Sequence, residues 1–174
     1  MMPSFESFIK GHKPAIYENS LCPLFSKVLP DLLLKYPFIN GDNIALNDEG
    51  ETYLFFDNEE LKESFENQLS DITKGSLEFH RLLGRTLGYP PKAVDFYIHK
   101  EVNSQLSQRS VGLYYMGVNC SSDVLDLDEN CQWLWEHYPS HEQLQIRIDS
   151  SFYKVDYCDF DRLHQLKRLA KVAV

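Results

Sequence analysis

Cys120, Cys131, His137, His141 and Cys158 fall close together in the last third of a 174-residue chain, and thiolate and imidazole are ligands that zinc prefers. The spacing does not make a zinc site. There is no Cys-x-x-Cys pair, and Pro139 stands between His137 and His141, so the two imidazoles cannot share one regular helix face. Buried thiols and surface histidines are the expectation. Asp126, Asp128 and Asn130 have the spacing with which a calcium loop opens. Such a loop needs glycine next and an acid at its twelfth position, where this chain has Cys131 and His137. A solvated acidic connection over 121–129 is the simpler reading. Gly112 and Gly117 are spaced like the start of a phosphate loop, but Val118-Asn119 follow in place of Lys-Ser/Thr. No G-x-S-x-G elbow is present. A small enzyme with a Cys/His or carboxylate site stays an alternative, since any of the four cysteines could meet a histidine in space. No catalytic residue, metal or cofactor is assigned.

One stretch does stand apart. Residues 76–100 read as a helix, a Gly88-Tyr89-Pro90-Pro91 corner and a second helix. Lys74 to Lys100 holds five Lys/Arg against two Asp/Glu in a chain of net charge −9. Arg and aromatic side chains dominate interfaces. Arg81, Arg85, Tyr89, Lys92 and Phe96 are therefore the candidate contact surface. Residues 82–100 also allow a helix-turn-helix: Gly84 permits close helix approach and Gly88 the turn, with Lys92, Asp95, Phe96 and His99 turned toward a groove. Against this, the second helix has no Arg, Asn or Gln to read bases, and two prolines are more than the turn needs. In a plain helical corner, Phe79, Leu82, Leu83, Leu87, Val94 and Ile98 form core instead.

Leu83, Gly84, Leu87, Gly88, Tyr89, Pro90, Val94 and Phe96 together resemble a motif in a family of uncharacterised prokaryotic proteins. In that family two adjacent cysteines commonly follow the corner one residue later. Here Lys92 and Ala93 occupy those places. The resemblance implies no known activity, and the departure removes a thiol or metal role at this corner.

The elements that must carry these residues follow from periodicity. Ser4 to Lys10 predicts a short helix, and Leu21 to Tyr36 a helical hairpin kinked or divided at Pro30. Ile44 to Leu46 and Thr52 to Phe56 predict a β-hairpin around Asn47-Asp48-Glu49-Gly50. Asp57, with Glu60 three residues on, opens a helix with Leu61, Phe65, Leu69 and Ile72 on one face. Ser76 caps the next helix. The polar stretch 103–110 reads as a loop and Val111 to Val118 as one two-sided strand. Cys131 to Tyr138 continues as a helix. Leu144, Ile146 and Ile148 alternate with Gln145 and Arg147 as a half-buried strand, which Asp149-Ser150-Ser151 turns back into Phe152 to Tyr157. Asp159 or Asp161 caps a last helix, with Leu163, Leu166, Leu169, Ala170 and Val172 or Ala173 along its apolar stripe.

The fold class is α+β: a helical N-terminal half with a β-hairpin, then a small, mostly antiparallel sheet packed by helices. One domain of 174 residues is expected, with 103–110 as the seam if the chain divides. Apolar residues at 43% rule out a disordered chain. The −9 charge disfavours nucleic acid and anionic membranes as partners. No apolar run is long enough to span a bilayer. With no export signal at the N-terminus and four scattered cysteines, a cytoplasmic location with reduced thiols is expected. The leading expectation is a non-catalytic protein that binds a protein partner, with nucleic acid as the alternative. Its Tyr- and Phe-rich composition also allows a homodimer.

Overall fold

The computed structural model describes residues 2–44 and 50–172, without the side chains of 171 and 172. The described residues form two compact units. One comprises Pro3–Gly88, and the other comprises Met2 with the chain from Tyr89 onward. The fold is α+β, as expected.

In the first unit, α1 (Ser4–Ile9) buries Phe8 and ends before Gly11, whose φ of +74° suits a residue without Cβ. The next element, β1 (Ala15–Asn19), is a strand that the sequence pattern does not announce. Helix α2 (Pro23–Lys35) begins with Pro23 in its first turn and runs on through Pro30, so no helical hairpin forms. Pro30 and Ser26 are both exposed residues, and the proline costs the helix the hydrogen bond to the Ser26 carbonyl.

Strand β3 (Thr52–Phe56) is where expected, but its partners differ. It lies between β1 and β2 (Phe38–Asn40), antiparallel to both. Ile44 belongs to a 3-10 turn, Gly41–Ile44; Ala45, Leu46 and the turn residues 47–49 lie outside the described residues. All five residues of β3 are buried. Tyr53 and Phe55 join Phe8, Phe25 and Leu32 in one core. On the opposite face, Phe56 meets Phe65 of α3 (Glu59–Leu69), ring centroids 5.6 Å apart. The cap of α3 is Asn58 rather than Asp57: Asn58 Oδ1 accepts from the Leu61 N–H at 2.8 Å. Ser76 does cap α4 (Leu77–Thr86), accepting from the Phe79 N–H.

In the second unit, α5 (Pro91–Val102) starts on Pro91 and packs on β5 (Val118–Asp123). A 3-10 segment, Ser104–Arg109, takes the place of the expected loop. The stretch expected as one strand is a hairpin: β4 (Ser110–Tyr115) turns at Met116-Gly117 into β5. Both turn residues have positive φ, +48° and +76°, the pair that a twisted two-residue hairpin requires. A 3-10 turn, Val124–Asp126, leads into α6 (Leu127–His137). Then β6 (Leu144–Ile148) and β7 (Ser151–Val155) form the expected hairpin. Helix α7 (Phe160–Val172) opens on Asp159, whose Oδ1 accepts from the Arg162 N–H at 3.0 Å. Leu163, Leu166 and Ala170 are buried, Leu169 is exposed, and Ala173 lies outside the described residues.

The four strands run in the order β5-β4-β6-β7, all antiparallel. Leu113, Ile146 and Val155 on one face share a core with Leu134, Trp135, Leu163 and Leu166 of α6 and α7. Among the described residues, no helix is long and apolar enough to cross a membrane.

Candidate binding surface

The five residues expected to make the contact surface are divided between the two units. Arg81, half-buried, and Arg85, exposed, belong to α4 of the first unit. Tyr89, Lys92 and Phe96 belong to the second, because Gly88 ends one unit and Tyr89 begins the other. Tyr89 is half-buried against the core of its own unit. Phe96 is only 5% exposed, so the expectation that it faces outward is corrected. Its neighbours on α5, Ala93, Val94 and Ile98, are buried with it, and Tyr97 and His99 take the exposed positions.

Lys92 is exposed and already engaged. Its Nζ lies 2.7 Å from Glu129 Oε2 and 3.1 Å from Asp126 Oδ1. The hydrogen bond to Glu129 first, then that to Asp126, pushes its pKa up. Behind it, Lys92, Phe96, His99, Leu106 and Arg109 help line a cleft of about 330 Å³. Arg109 grips Asp123 in a two-pronged pair, Nε to Oδ1 at 3.1 Å with a second contact through Nη2. Asp123 Oδ1 also accepts from the Leu125 N–H at 2.9 Å, tying the pair to the turn after β5. Lys92 and Arg109 both spend their charge inside the molecule, which leaves the cleft weak as an anion site.

The cysteines, histidines and acids are also placed by structure. Burial pushes the Cys131 thiol well up, away from the reactive thiolate. His137 stacks on Trp133 with ring centroids 3.8 Å apart, and its Nδ1 is 2.9 Å from the Trp133 carbonyl. Asp128, a member of the candidate calcium loop, accepts from Lys167 Nζ at 2.6 Å and so links α6 to α7. Among the described residues, no group of three or more His, Cys, Asp or Glu is placed to hold a metal ion. Gly112 also has a packing reason. A Cβ there would lie 2.9 Å from Tyr114 Cε2 and 3.3 Å from Arg147 Cβ.

That close approach marks a surface that the sequence reading missed. Opposed residues share a face of an antiparallel sheet, so the register lays out two rows on the side away from the core. One runs Ser121, Gly112, Arg147, Phe152, and the other runs Asn119, Tyr114, Gln145, Lys154. Neither row contains a carboxylate. The Tyr114 ring fills the gap above Gly112, 5.4 Å from the Phe152 ring, and the Arg147 guanidinium lies 5.9 Å from the Tyr114 centroid. Helix α5 reaches the β5 end of the rows, where Lys100 Nζ is 3.5 Å from Ser121 Oγ. At the β6–β7 end, Arg147 and Lys154 are exposed and Phe152 is 53% exposed. Neither Arg147 nor Lys154 forms an ion pair with a described residue. The signal was present in the sequence. A two-residue turn at Asp149-Ser150 fixes Arg147 opposite Phe152, so the outward residues of both strands can be read together.

The surface offers cations, amides, the Ser121 hydroxyl and a bare ring. It is suited to binding. No protein-family model matches the chain, and no similar curated protein or solved structure was found.

Proposed function

We propose that this is a non-catalytic protein of the cytoplasm that binds a protein partner through the open face of its four-stranded sheet. The observation that carries the reading is Phe152, more than half exposed on a face where Arg147 and Lys154 have no described ion-pair partner. A ring packed beside a guanidinium is the composition of an interface hot spot. The four cysteines, present as free thiols, accord with a reducing compartment. The contact surface thus moves from the helical corner to the sheet. Lys92 is held by Asp126 and Glu129 and Phe96 is buried, which favours the sheet over the corner as the contact surface.

The test is Arg147→Glu combined with Phe152→Ala, with circular dichroism to show an unchanged fold. Affinity isolation from the cells of origin should recover a protein with the wild type and lose it with the double variant. A hot spot of this kind costs about 2 kcal/mol or more per residue. Undiminished recovery by the double variant overturns the assignment.

A further inference from the structure

Among the described residues, the four-stranded sheet stops at the outer edge of β7 without a further partner strand. In the β6–β7 hairpin, two residues separate Ile148 from Ser151, and the pair flanking such a turn is hydrogen-bonded. Bonded and non-bonded pairs then alternate along the ladder. Ser151, Tyr153 and Val155 therefore turn their N–H and C=O groups inward to β6. Phe152 and Lys154 turn theirs outward. Among the described residues, no other segment hydrogen-bonds to β7 on that side. The two residues with outward backbone groups are also the two whose side chains stand on the open face beside Arg147.

We propose that β7 takes an extended acidic peptide as a fifth strand. Its acidic side chains would lie toward Lys154 and Arg147, and its alternate, apolar side chains would lie beside Tyr153 and Val155. The proposal rests on the protein-binding reading above and adds the partner's chemistry and its mode of docking. Strand addition takes affinity from main-chain hydrogen bonds and specificity from alternate side chains. Here the edge supplies the first and the charged face supplies the second. Arg147 and Lys154 form no ion pair with a described residue, and their two rows hold no carboxylate, so acidic side chains on a bound peptide would supply partners for both.

The other occupants fit less well. A second copy pairing through the same edge would bring its own Lys154 up to this one, and lysine is a residue type that natural edges use against self-pairing. A single-stranded nucleic acid needs several rings for successive bases, and Tyr114 is 9% exposed, which leaves Phe152 alone.

The experiment uses the full chain and a fluorescein-labelled peptide of sequence Glu-Val-Glu-Val-Glu-Val-Glu, with binding read by fluorescence polarisation. Saturable binding that weakens as salt rises is expected. Lys154→Gln removes only the charge. Lys154→Pro removes the charge and the outward N–H, and leaves the β6 ladder intact because that N–H takes no part in it. The proline variant should bind about tenfold more weakly than the glutamine variant, since a partner carbonyl is left unsatisfied. A peptide N-methylated at the amides facing β7 should lose binding to the wild type, which checks the edge even if the proline variant misfolds.

Equal binding by the Gln and Pro variants together with full binding of the methylated peptide overturns strand addition. Equal binding of a Lys-Val peptide of the same pattern overturns the acidic preference. Tighter binding of oligouridylate puts nucleic acid in its place. A dimer that Lys154→Pro dissolves puts a second copy there. If the peptide fails while Arg147→Glu with Phe152→Ala still abolishes partner recovery, this docking mode falls and the protein-binding reading stands. Recovery unaffected by that double variant removes the reading itself.

Discussion

The two sheets of this chain are built to opposite ends. The three-stranded sheet is buried on both faces at β3: Tyr53 and Phe55 look into the core with α1 and α2, and Phe56 meets α3. Even its ionisable groups are drawn in, with Lys13 at 2% exposure and burial pushing Glu18 above its ordinary carboxylate value. The four-stranded sheet spends one face on the core with α6 and α7 and presents the other at β6 and β7, where Arg147, Phe152 and Lys154 are exposed. A strand covered on both sides stabilises and has nothing left with which to recognise. A strand covered on one side can do both, which is why the candidate surface lies on the second sheet.

The same residue type should behave differently in the two places, and this is the largest effect expected. Phe55→Ala, at a fully buried position, should cost about 3–5 kcal/mol in urea denaturation. Phe152→Ala should change stability by no more than about 0.5 kcal/mol while abolishing partner binding. Equal losses would erase the distinction between the sheets. Asp123→Ala should cost about 2 kcal/mol, because it breaks the Arg109 pair and removes the acceptor for the Leu125 N–H. The Arg109 side chain is 38% exposed, which holds the figure below that of a fully buried pair. Gly112→Ala should cost about 1–2 kcal/mol by displacing the Tyr114 ring, and should weaken partner binding as the face is rebuilt. A variant as stable as the wild type would show that the ring is free to move.

The smallest effect is one of pH. Desolvation raises the folded-state pKa of Glu18 above 4.5, and Lys13 opposes the shift. The folded state then holds the Glu18 proton longer than the unfolded state does. Stability due to this group falls as pH rises from 4.5 through the raised pKa. Melting curves of wild type and Glu18→Gln across that window should show the wild type losing ground to the variant as pH increases. A constant difference would mean that Lys13 cancels the burial.

Much of the architecture was legible where the physics is local. Leu61, Phe65 and Leu69 at helical spacing (with Ile72 falling beyond the helix end), Asp159 as one of two candidate caps, and Leu144, Ile146 and Ile148 alternating with Gln145 and Arg147 all depend on residues close in sequence. The failures had several distinct causes. Strand β1 is five residues whose partner lies far along the chain, so no local pattern marks it. The β4–β5 turn uses Met116 at φ +48°, a conformation for which methionine has no preference, so the strand pair read as one strand. Phe96 was ambiguous for a third reason. Its helix offers apolar groups around more than one side, and neighbours supplied by the fold decided which side was buried. The binding face was missed because its members come from three strands. Each outward residue looked unremarkable until the register put Arg147 beside Gly112 and Phe152.

The pairing of β1 with β3 also matters during synthesis. Ala15 to Asn19 find their partners about 33 to 41 residues later in the chain. At a translation rate of roughly 5–20 residues per second, that is a wait of about 2–8 seconds. Through it, Ile16, Phe8 and Phe25 have no strand β3 to close over them. The hairpins β4–β5 and β6–β7 close across two residues each and can form within microseconds of emerging. The nascent chain therefore passes through its most adhesive stage early, before Thr52 to Phe56 leave the ribosome, and that interval is where a chaperone would be needed.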